Sequence, residues 1–430
     1  MRALLYLIFL LLIANFSFGQ KLTETSIDEQ TYTTFISGNY QETIKLGNES
    51  LRQNIDFYYL RYRLGVSYFE LKNYEKAIYH LEKAKAFDSN DPYMMEYLYY
   101  AYIYTNQTEK AYQLTAIFPD ELKDKVNHKT PLFKSVAFET GLLQTNDLNN
   151  LKKVDLRNGY PTAQGTFYSD VAFGNLLITN QITPNFKLQN HFSYVSNTSE
   201  TIVQDAVVNK FTDKNNYYQW NILGAYFFKG YKIGFGFGTY HSSYNTYTLA
   251  TPPTPIAINH YKNNNYSVSF SLGKKLNYIE PSISFSYTDI SDLKTLTAEA
   301  ALTYFPFGNK NFYSNSKFAF VTNEMYNNSI FTQLLGYKLT PKIWIEGFGA
   351  FGNHLNYISD NGLSVFNTPN QINWYTGGNL NFYFKRFDFS LGYGIQQRES
   401  NYYTADLSTL NTINYTYNYN LLKTRIVWKF

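Results

Sequence analysis

From Leu132 to the end of the chain, large apolar residues alternate with small or polar residues at a period of two. Clear examples are residues 231–238 (YKIGFGFG), 266–273 (YSVSFSLG) and 387–396 (FDFSLGYGIQ). Because successive side chains of a β-strand point to opposite faces, each segment predicts a strand with one apolar face and one small or polar face. The segments have their centres near Ala137, Val171, His191, Leu223, Phe235, Ser269, Ser284, Ala300, Phe318, Leu334, Gly347, Asn379, Leu391 and Arg425.

We therefore predict an antiparallel transmembrane β-barrel of about 14 strands over residues 130–430, with a range of about 12 to 16, because strand boundaries read from sequence carry errors of a few residues. In a barrel the apolar faces turn towards lipid and the polar faces line the interior. The connections also alternate in length, as barrels of outer membranes require. Short turns fall near Thr183-Pro184, Lys229-Gly230, Lys274-Lys275, Gly308-Asn309, Thr340-Pro341 and Lys385-Arg386. Longer polar loops are predicted near residues 143–162, 198–214, 248–262, 356–370 and 399–410. A soluble all-β domain is the alternative interpretation, since its strands would alternate too.

Before this half, residues 20–127 follow a helical pattern that repeats itself. The segments Gly38–Ile44, Lys72–Ile78 and Asn106–Tyr112 align at a spacing of 34 residues, which is the period of the tetratricopeptide repeat. Ser26 and Glu29 have the spacing of a capping box, which predicts the start of the first helix.

The middle unit resembles the tetratricopeptide family most closely. Its large and small packing positions are occupied by Leu64, Gly65, Tyr68, Ala77, Leu81 and Ala84. The resemblance implies an α-solenoid of about three repeats, with a concave groove that binds a periplasmic protein or peptide. The positions that would line this groove are Tyr32, Phe35, Tyr59, Tyr62, Phe69, Glu70, Tyr93, Tyr100 and Tyr104. The alternative is that these rings cover one another or dock the helices on the barrel.

Residues 1–19 predict a secretory signal peptide, with Arg2 at the start, an apolar run from Ala3 to Phe16, and small residues at Ser17 and Gly19. An uncleaved anchor is the alternative, but the apolar run is shorter than the roughly 20 residues that a spanning helix needs. Export and the strand pattern together predict the outer membrane of a diderm bacterium, with the helical domain in the periplasm. The strand that ends in Trp428 and Phe430 resembles the signal read by the barrel assembly machinery, which is therefore an expected partner beside outer-membrane lipid.

Composition narrows the chemistry. Aromatic residues make up 19% of the chain, which suits membrane interfaces, and the chain has no Cys, which excludes disulfides and thiolate chemistry. No zinc, phosphate-loop or serine-hydrolase motif occurs, so we expect no cofactor, no metal site and no catalytic residues. The modest net charge of +4 gives no reason to expect nucleic-acid binding.

The alternation assigns polar residues to the barrel interior. The interior set is Lys187, His191, Lys232, Glu280, Glu299, Lys317, Asp388, Arg398, Lys423, Arg425 and Lys429. These groups predict either a lining of ion pairs that keeps the barrel narrow or a pore that favours anions, because basic residues outnumber acidic ones in the set.

Three functions follow as hypotheses. The leading one is a barrel that anchors a periplasmic protein-binding module, as a scaffold or assembly component of the cell envelope. The alternative is a channel or transporter for small solutes, with a preference for anions. The third is an outer-membrane barrel enzyme. The order of the two halves resembles outer-membrane proteins that join a tetratricopeptide array to a barrel, including some of the YaiO family.

Overall fold

The computed structural model describes residues 23–105, 107–126, 132–153, 155–248, 257–276, 278–290, 293–360, 364–366, 370–406 and 409–430. The predicted signal peptide, residues 1–19, lies outside these ranges. The chain divides into two compact units. The first runs to Ile103 and includes Phe118–Leu122, and the second comprises Tyr104–Ile117 and Lys123–Phe430.

The N-terminal part is helical, as the sequence predicts. The helices in the described ranges are α1 (Glu24–Ile36), α2 (Tyr40–Arg52), α3 (Tyr58–Glu70), α4 (Tyr74–Phe87), α5 (Pro92–Tyr104), α6 (Thr108–Thr115), α7 (Asp120–Lys125) and α8 (Leu148–Leu151). None of the described helices is both long and apolar enough to span a membrane. The assignment of these helices to the tetratricopeptide family stays a prediction.

The first helix begins earlier than the sequence interpretation placed it. Thr23 is the N-cap of α1, its side chain accepts a hydrogen bond from the Ser26 amide, and the Ser26 hydroxyl accepts one from the Thr23 amide. The capping box is therefore formed by Thr23 and Ser26, and not by Ser26 and Glu29. A hydroxyl can accept from a backbone amide as a Glu side chain does, which is why the shifted box was missed.

Helices α3 and α4 pack closely because one of them carries a glycine at the contact. A Cβ on Gly65 would lie 2.6 Å from Cγ of Leu81, so only Gly permits this approach. Leu64, Ala77 and Leu81 are fully buried. The predicted packing role of these positions is confirmed.

The second unit contains a closed barrel. Its strands are β1 (Phe133–Gln144), β2 (Thr162–Thr183), β3 (Phe186–Gln204), β4 (Val208–Phe228), β5 (Tyr231–Thr248), β6 (Ala257–Lys274), β7 (Ile279–Ile290), β8 (Leu293–Tyr304), β9 (Phe312–Thr322), β10 (Asn327–Lys338), β11 (Ile343–Phe351), β14 (Gln371–Tyr383), β15 (Phe387–Ala405) and β16 (Leu410–Lys429). The short strands β12 (Tyr357–Ser359) and β13 (Ser364–Phe366) form a separate hairpin. The barrel thus has 14 strands, all neighbours are antiparallel, and β1 closes it against β16. The predicted number of strands is confirmed.

The two faces of the wall differ as predicted. Phe235, Phe270 and Phe285 stand opposite one another on β5, β6 and β7, and each is about half exposed on the outer face. The next residues along these strands are small, and they face the interior. Exposed rings on the outside of a closed sheet are solvated by lipid, which is the arrangement of an outer-membrane barrel.

The strands of the barrel differ in length. β2 has 22 residues and β4 has 21, whereas β7 has 12 and β11 has 9. About 9 to 11 tilted residues are enough to span the membrane, so the long strands continue well beyond it. The loops predicted near residues 198–214 and 399–410 are therefore wrong over most of their length, since strands occupy residues 198–204, 208–214 and 399–405. Outside lipid both faces of a strand meet water or polar groups, so the alternation that marks a strand is lost.

Candidate functional site

The interior wall between β4 and β9 carries two neighbouring rows of small residues, which we call the trough. One row is formed by residues paired in register across four strands, Ala225, Gly234, Ser271 and Ser284. The adjacent row is formed by Gly273, Ser282 and Ala301. Because these side chains are short, they leave a cavity of about 260 Å³ against the wall.

Charged residues flank the trough at both ends. Lys187 stands opposite Ala225 at one end, and Glu299 stands opposite Ser284 at the other. In the adjacent row Lys232 stands opposite Gly273, and Lys317 stands opposite Ala301. All four residues line the cavity, together with Glu280 of β7 and Asp360.

The segment that contains Asp360 connects β11 to β14 and folds into the barrel. We call its described part, residues 352–360 and 364–366, the inner loop. The Ser359 hydroxyl donates a hydrogen bond to Oε2 of Glu299 at 2.9 Å, and the Tyr357 hydroxyl donates to the same oxygen. Lys317 donates to Ser359 and forms an ion pair with Asp360, with 2.8 Å from Nζ to Oδ1. Two wall residues, one acidic and one basic, therefore hold the tip of the inner loop.

Apolar contacts hold the inner loop on both sides of this polar attachment. Tyr357 packs with Ala319, Val321 and Ile330 of β9 and β10, while Ile358 belongs to a cluster with residues of β5 and β7. Tyr357, Ile358 and Ser359 are each at most 3% exposed. The inner loop is therefore packed as an interior element and not as a surface loop.

A second obstruction fills the end of the barrel that carries the long strands, and we call it the outer plug. Leu148 of α8 and Leu156 are buried against Phe167, Tyr417 and Tyr419. The outer parts of β15 and β2 also pair with each other from Tyr402 to Ala405, although β16 and β1 separate these strands lower in the wall. Both features narrow this end of the interior.

A second cavity of about 330 Å³ lies against β1, β11 and β14–β16. Glu346 accepts hydrogen bonds there from the Asn379 and Asn381 amides, at 3.3 and 3.1 Å. Asp388 forms an ion pair with Lys429 at 2.6 Å. Two carboxylates of this cavity, Glu346 and Asp388, are thus bound by neighbouring polar side chains.

The eleven residues predicted for the interior are distributed over these regions. Lys187, Lys232, Glu280, Glu299 and Lys317 line the first cavity, and Asp388, Lys423 and Arg425 line the second. His191 is buried beside Asn221, with 3.3 Å between their nitrogens, and the Arg398 guanidinium lies 4.6 Å from the Tyr419 ring centroid. Lys429 forms the ion pair with Asp388 described above.

Some interior residues were not in the predicted set. Glu139 and Glu346 line the second cavity, and their positions in alternating segments could have identified them. Tyr357, Ser359 and Asp360 could not have been found in this way, because the inner loop carries no period-two signal that places it inside the barrel.

The residues predicted to line a groove in the helical unit are partly exposed and partly engaged with one another. Tyr32, Tyr59 and Tyr93 are more than half exposed, and Tyr104 and Glu70 are exposed as well. Tyr62 stacks on Tyr58 with 6.2 Å between ring centroids. The remaining predicted rings are half-buried, and these are Phe35, Phe69 and Tyr100.

Tyr62 and its stacking partner Tyr58 both have raised pKa values. Burial raises the pKa of the Tyr62 hydroxyl to about 12. Burial and a hydrogen bond to Asp91 raise the pKa of Tyr58. Both side chains are therefore neutral donors at physiological pH, and Tyr58 already uses its donor within the unit.

Comparison with known proteins gives a distant likeness in fold. The toluene transporter TodX of Pseudomonas putida matches with 8% identity over 69% of this chain and 90% of its own, with a TM-score of 0.44. A TodX monoaromatic hydrocarbon channel with a deltaS2 mutation matches with 8% identity over 74% of this chain and 94% of its own, with a TM-score of 0.47. A FadL homologue of Pseudomonas aeruginosa matches with 9% identity over 69% and 90%, with a TM-score of 0.41. No protein-family model and no curated protein matches the chain.

These findings correct the leading functional hypothesis. The TodX structures that resemble this chain are named as a transporter and a channel, so the prediction that the barrel serves as an anchor for a protein-binding module is wrong. The resemblances to tetratricopeptide arrays and to the YaiO family are not recovered by the comparisons. The chain has an outer-membrane β-barrel fold.

Proposed function

We propose that this protein is an outer-membrane channel for small polar solutes, closed at rest by the inner loop. The observation that carries the proposal is the trough, a polar cavity inside a closed barrel wall, directly beside the inner loop, whose tip is bound by Glu299 and Lys317. A solute path needs polar lining groups and a free cross-section, and the small residues of the trough supply both.

The chemistry of the trough favours polar solutes over hydrocarbons. TodX is named for toluene, whereas this cavity is lined by three lysines, two glutamates and one aspartate among the described residues. Displacing water from so many charged groups by an apolar solute would leave them unsolvated, at a cost of several kcal/mol. The charges also balance, which does not favour the anion preference suggested by the sequence.

The inner loop suits the role of a gate because it is attached at its tip by Glu299 and Lys317. Both residues also line the cavity, so a solute that occupies the trough meets the same groups that hold the loop. We place the end of the barrel that carries the short turns in the periplasm, following the usual asymmetry of such barrels. The first barrel strand begins and the last one ends at this same end.

The test uses full-length protein in liposomes, with uptake of small labelled polar solutes as the readout. Because the chain has no Cys, Ile290→Cys/Ile358→Cys places two unique thiols within one apolar cluster of wall and inner loop. A short thiol cross-linker then fixes the loop. We expect uptake before cross-linking and its loss afterwards, with recovery when a cleavable linker is cut.

The single variants Ile290→Cys and Ile358→Cys, treated with the same reagent, are the matched controls and should keep their uptake. Polar-solute uptake that is unaffected by the cross-link would contradict the gate. If neither the native chain nor a variant with a freed loop takes up any polar solute, the channel proposal is wrong.

A further inference from the structure

We propose that the trough is a binding site for a small zwitterion, a peptide of two or three residues with a free ammonium and a free carboxylate. The inference rests on the proposed channel function and names its solute class. The inference depends on how charge is distributed along the trough and not on the net charge of the lining residues.

The charged residues of β3 and β5 that line the trough are both positive. Lys187 and Lys232 lie there, and the residues that follow in register, Ala225, Gly234 and Gly273, carry no charge. A carboxylate that reaches this end meets two ammonium groups. Charge-assisted hydrogen bonds of this kind are roughly twice as strong as neutral ones.

The opposite end is negative. Glu280 and Glu299 contribute two carboxylates from β7 and β8, and Asp360 of the inner loop contributes a third. Lys317 compensates part of this charge, since its Nζ lies 2.8 Å from Asp360 and 3.8 Å from Glu299. Three carboxylates and one ammonium leave two excess negative charges among the residues that line this side, which suits an ammonium group.

The spacing between the ends selects the length of the solute. Lys232 on β5 and Glu280 on β7 are separated by one strand and offset by two residues, which places their Cα atoms about 12 Å apart along the wall. An extended peptide spans roughly 3.5 Å per residue, so two or three residues bring its terminal charges within reach of both side chains. A cavity of 260 Å³ is smaller than the roughly 300 to 1,000 Å³ of drug-sized sites, which also indicates a small ligand.

The rows of short side chains complete the site. Ser282 and Ser284 place hydroxyl oxygens between the two charged ends, and these can accept a hydrogen bond from a peptide N–H that lies along the wall. Their neighbours are Gly and Ala, so the peptide side chains meet open space and are not selected by size. The site therefore recognises the termini and the backbone of the peptide.

The experiment compares four peptides of one size on the full-length protein in liposomes. The peptides are dialanine, its N-acetylated form, its C-terminal amide, and the form capped at both ends. We expect saturable uptake of dialanine at a concentration at least 10-fold lower than for any capped form. Equal uptake of all four peptides would overturn the zwitterion site and leave the channel intact, whereas the absence of any uptake would overturn the channel itself.

Charge variants test which end of the trough binds the carboxylate of the peptide and which end binds its ammonium group. Lys232→Gln should remove the preference for a free carboxylate and keep the preference for a free ammonium, and Glu280→Gln should do the reverse. Lys232→Glu should shift the preference to the C-terminal amide, which carries only the ammonium. Lys423→Gln removes a lysine that lines the second cavity and should keep the preference for dialanine. If Lys232→Gln and Lys423→Gln have the same effect, the assignment is wrong.

Discussion

The Glu299 carboxylate on β8 accepts a hydrogen bond from the Ser359 hydroxyl of the inner loop, with 2.9 Å between Oε2 and Oγ. The Tyr357 hydroxyl donates to the same oxygen, and the Ser284 hydroxyl donates to Oε1 from the wall at 3.0 Å. One carboxylate thus joins the loop to the trough. Because it is buried, the loss of either partner leaves a polar group without its hydrogen bond.

Glu299→Ala should therefore release the inner loop. The substitution leaves the Tyr357 and Ser359 hydroxyls without their acceptor, at a cost of about 1 to 3 kcal/mol for each buried group. The closed state loses this energy, so we expect basal uptake of polar solutes to rise at least 10-fold. Liposome uptake and the open fraction in planar-bilayer recordings measure the change.

Ser284→Ala is the matched control for this substitution. It removes a hydrogen bond to the same carboxylate but touches only the wall, so the open fraction in planar-bilayer recordings without added peptide should stay near the native level. An equal rise in both variants would show that Glu299 acts on the wall and not on the loop.

Ser271→Trp should block the trough without any change of charge. Ser271 faces the interior between Gly234 and Ser284, so an indole at this position occupies the space left by the small side chains. We expect solute uptake to fall at least 10-fold even when the inner loop is released by Glu299→Ala. Phe270→Trp places the same ring on the lipid face one residue away and should leave uptake unchanged.

The period-two pattern allowed the barrel wall to be predicted almost completely. Its 14 strands contain all the predicted centres, and residues such as Lys187 and Glu280 lie inside because alternation fixes the face of every position in a strand. The same rule could have identified Glu346. The alternation does not predict which segments fill the interior of the barrel, because those segments are loops.

The inner loop and the outer plug illustrate this limit. Asp360 and Leu156 lie in connections, where no periodicity indicates whether a side chain faces solvent or the barrel interior. Leu156 becomes buried only because Phe167 and Tyr417, far apart in sequence, are brought to one end of the barrel. The predicted function was wrong for a related reason. The repeat pattern in residues 20–127 suggested a protein partner, and no sequence pattern indicated the cavity beside the inner loop.

Gly65→Val should destabilise the helical unit. The new Cβ would lie 2.6 Å from Cγ of Leu81, which is fully buried and has no space to move into. Overpacking of this kind costs about 1 to 3 kcal/mol. Hydrogen exchange of residues 58–87 in the full-length protein should become about 10- to 100-fold faster. Lys83→Val introduces the same β-branched residue at an exposed position of α4 and should change exchange by a few-fold at most.

His80 should make the stability of the helical unit depend on pH. Burial lowers the pKa of its imidazole to about 3, and the Arg61 guanidinium, 3.2 Å from Nδ1, acts in the same direction. The unfolded chain binds a proton near the ordinary value of about 6.5, while the folded unit resists protonation. The stability that neutral His80 contributes is therefore complete above pH 6.5 and is lost as the pH falls towards 3, by about 1.4 kcal/mol per pH unit.

His80→Phe isolates this contribution from that of other titrating groups. Phenylalanine can keep the stacking on Tyr68, whose ring lies 5.4 Å from His80, but it cannot bind a proton. Between pH 7.5 and 5.0, we expect hydrogen exchange of α4, corrected for the intrinsic rate, to lose about 2 kcal/mol more protection in the native chain than in the variant. Parallel pH profiles for the two proteins would mean that His80 does not stay neutral in the folded unit, and that burial does not control its protonation.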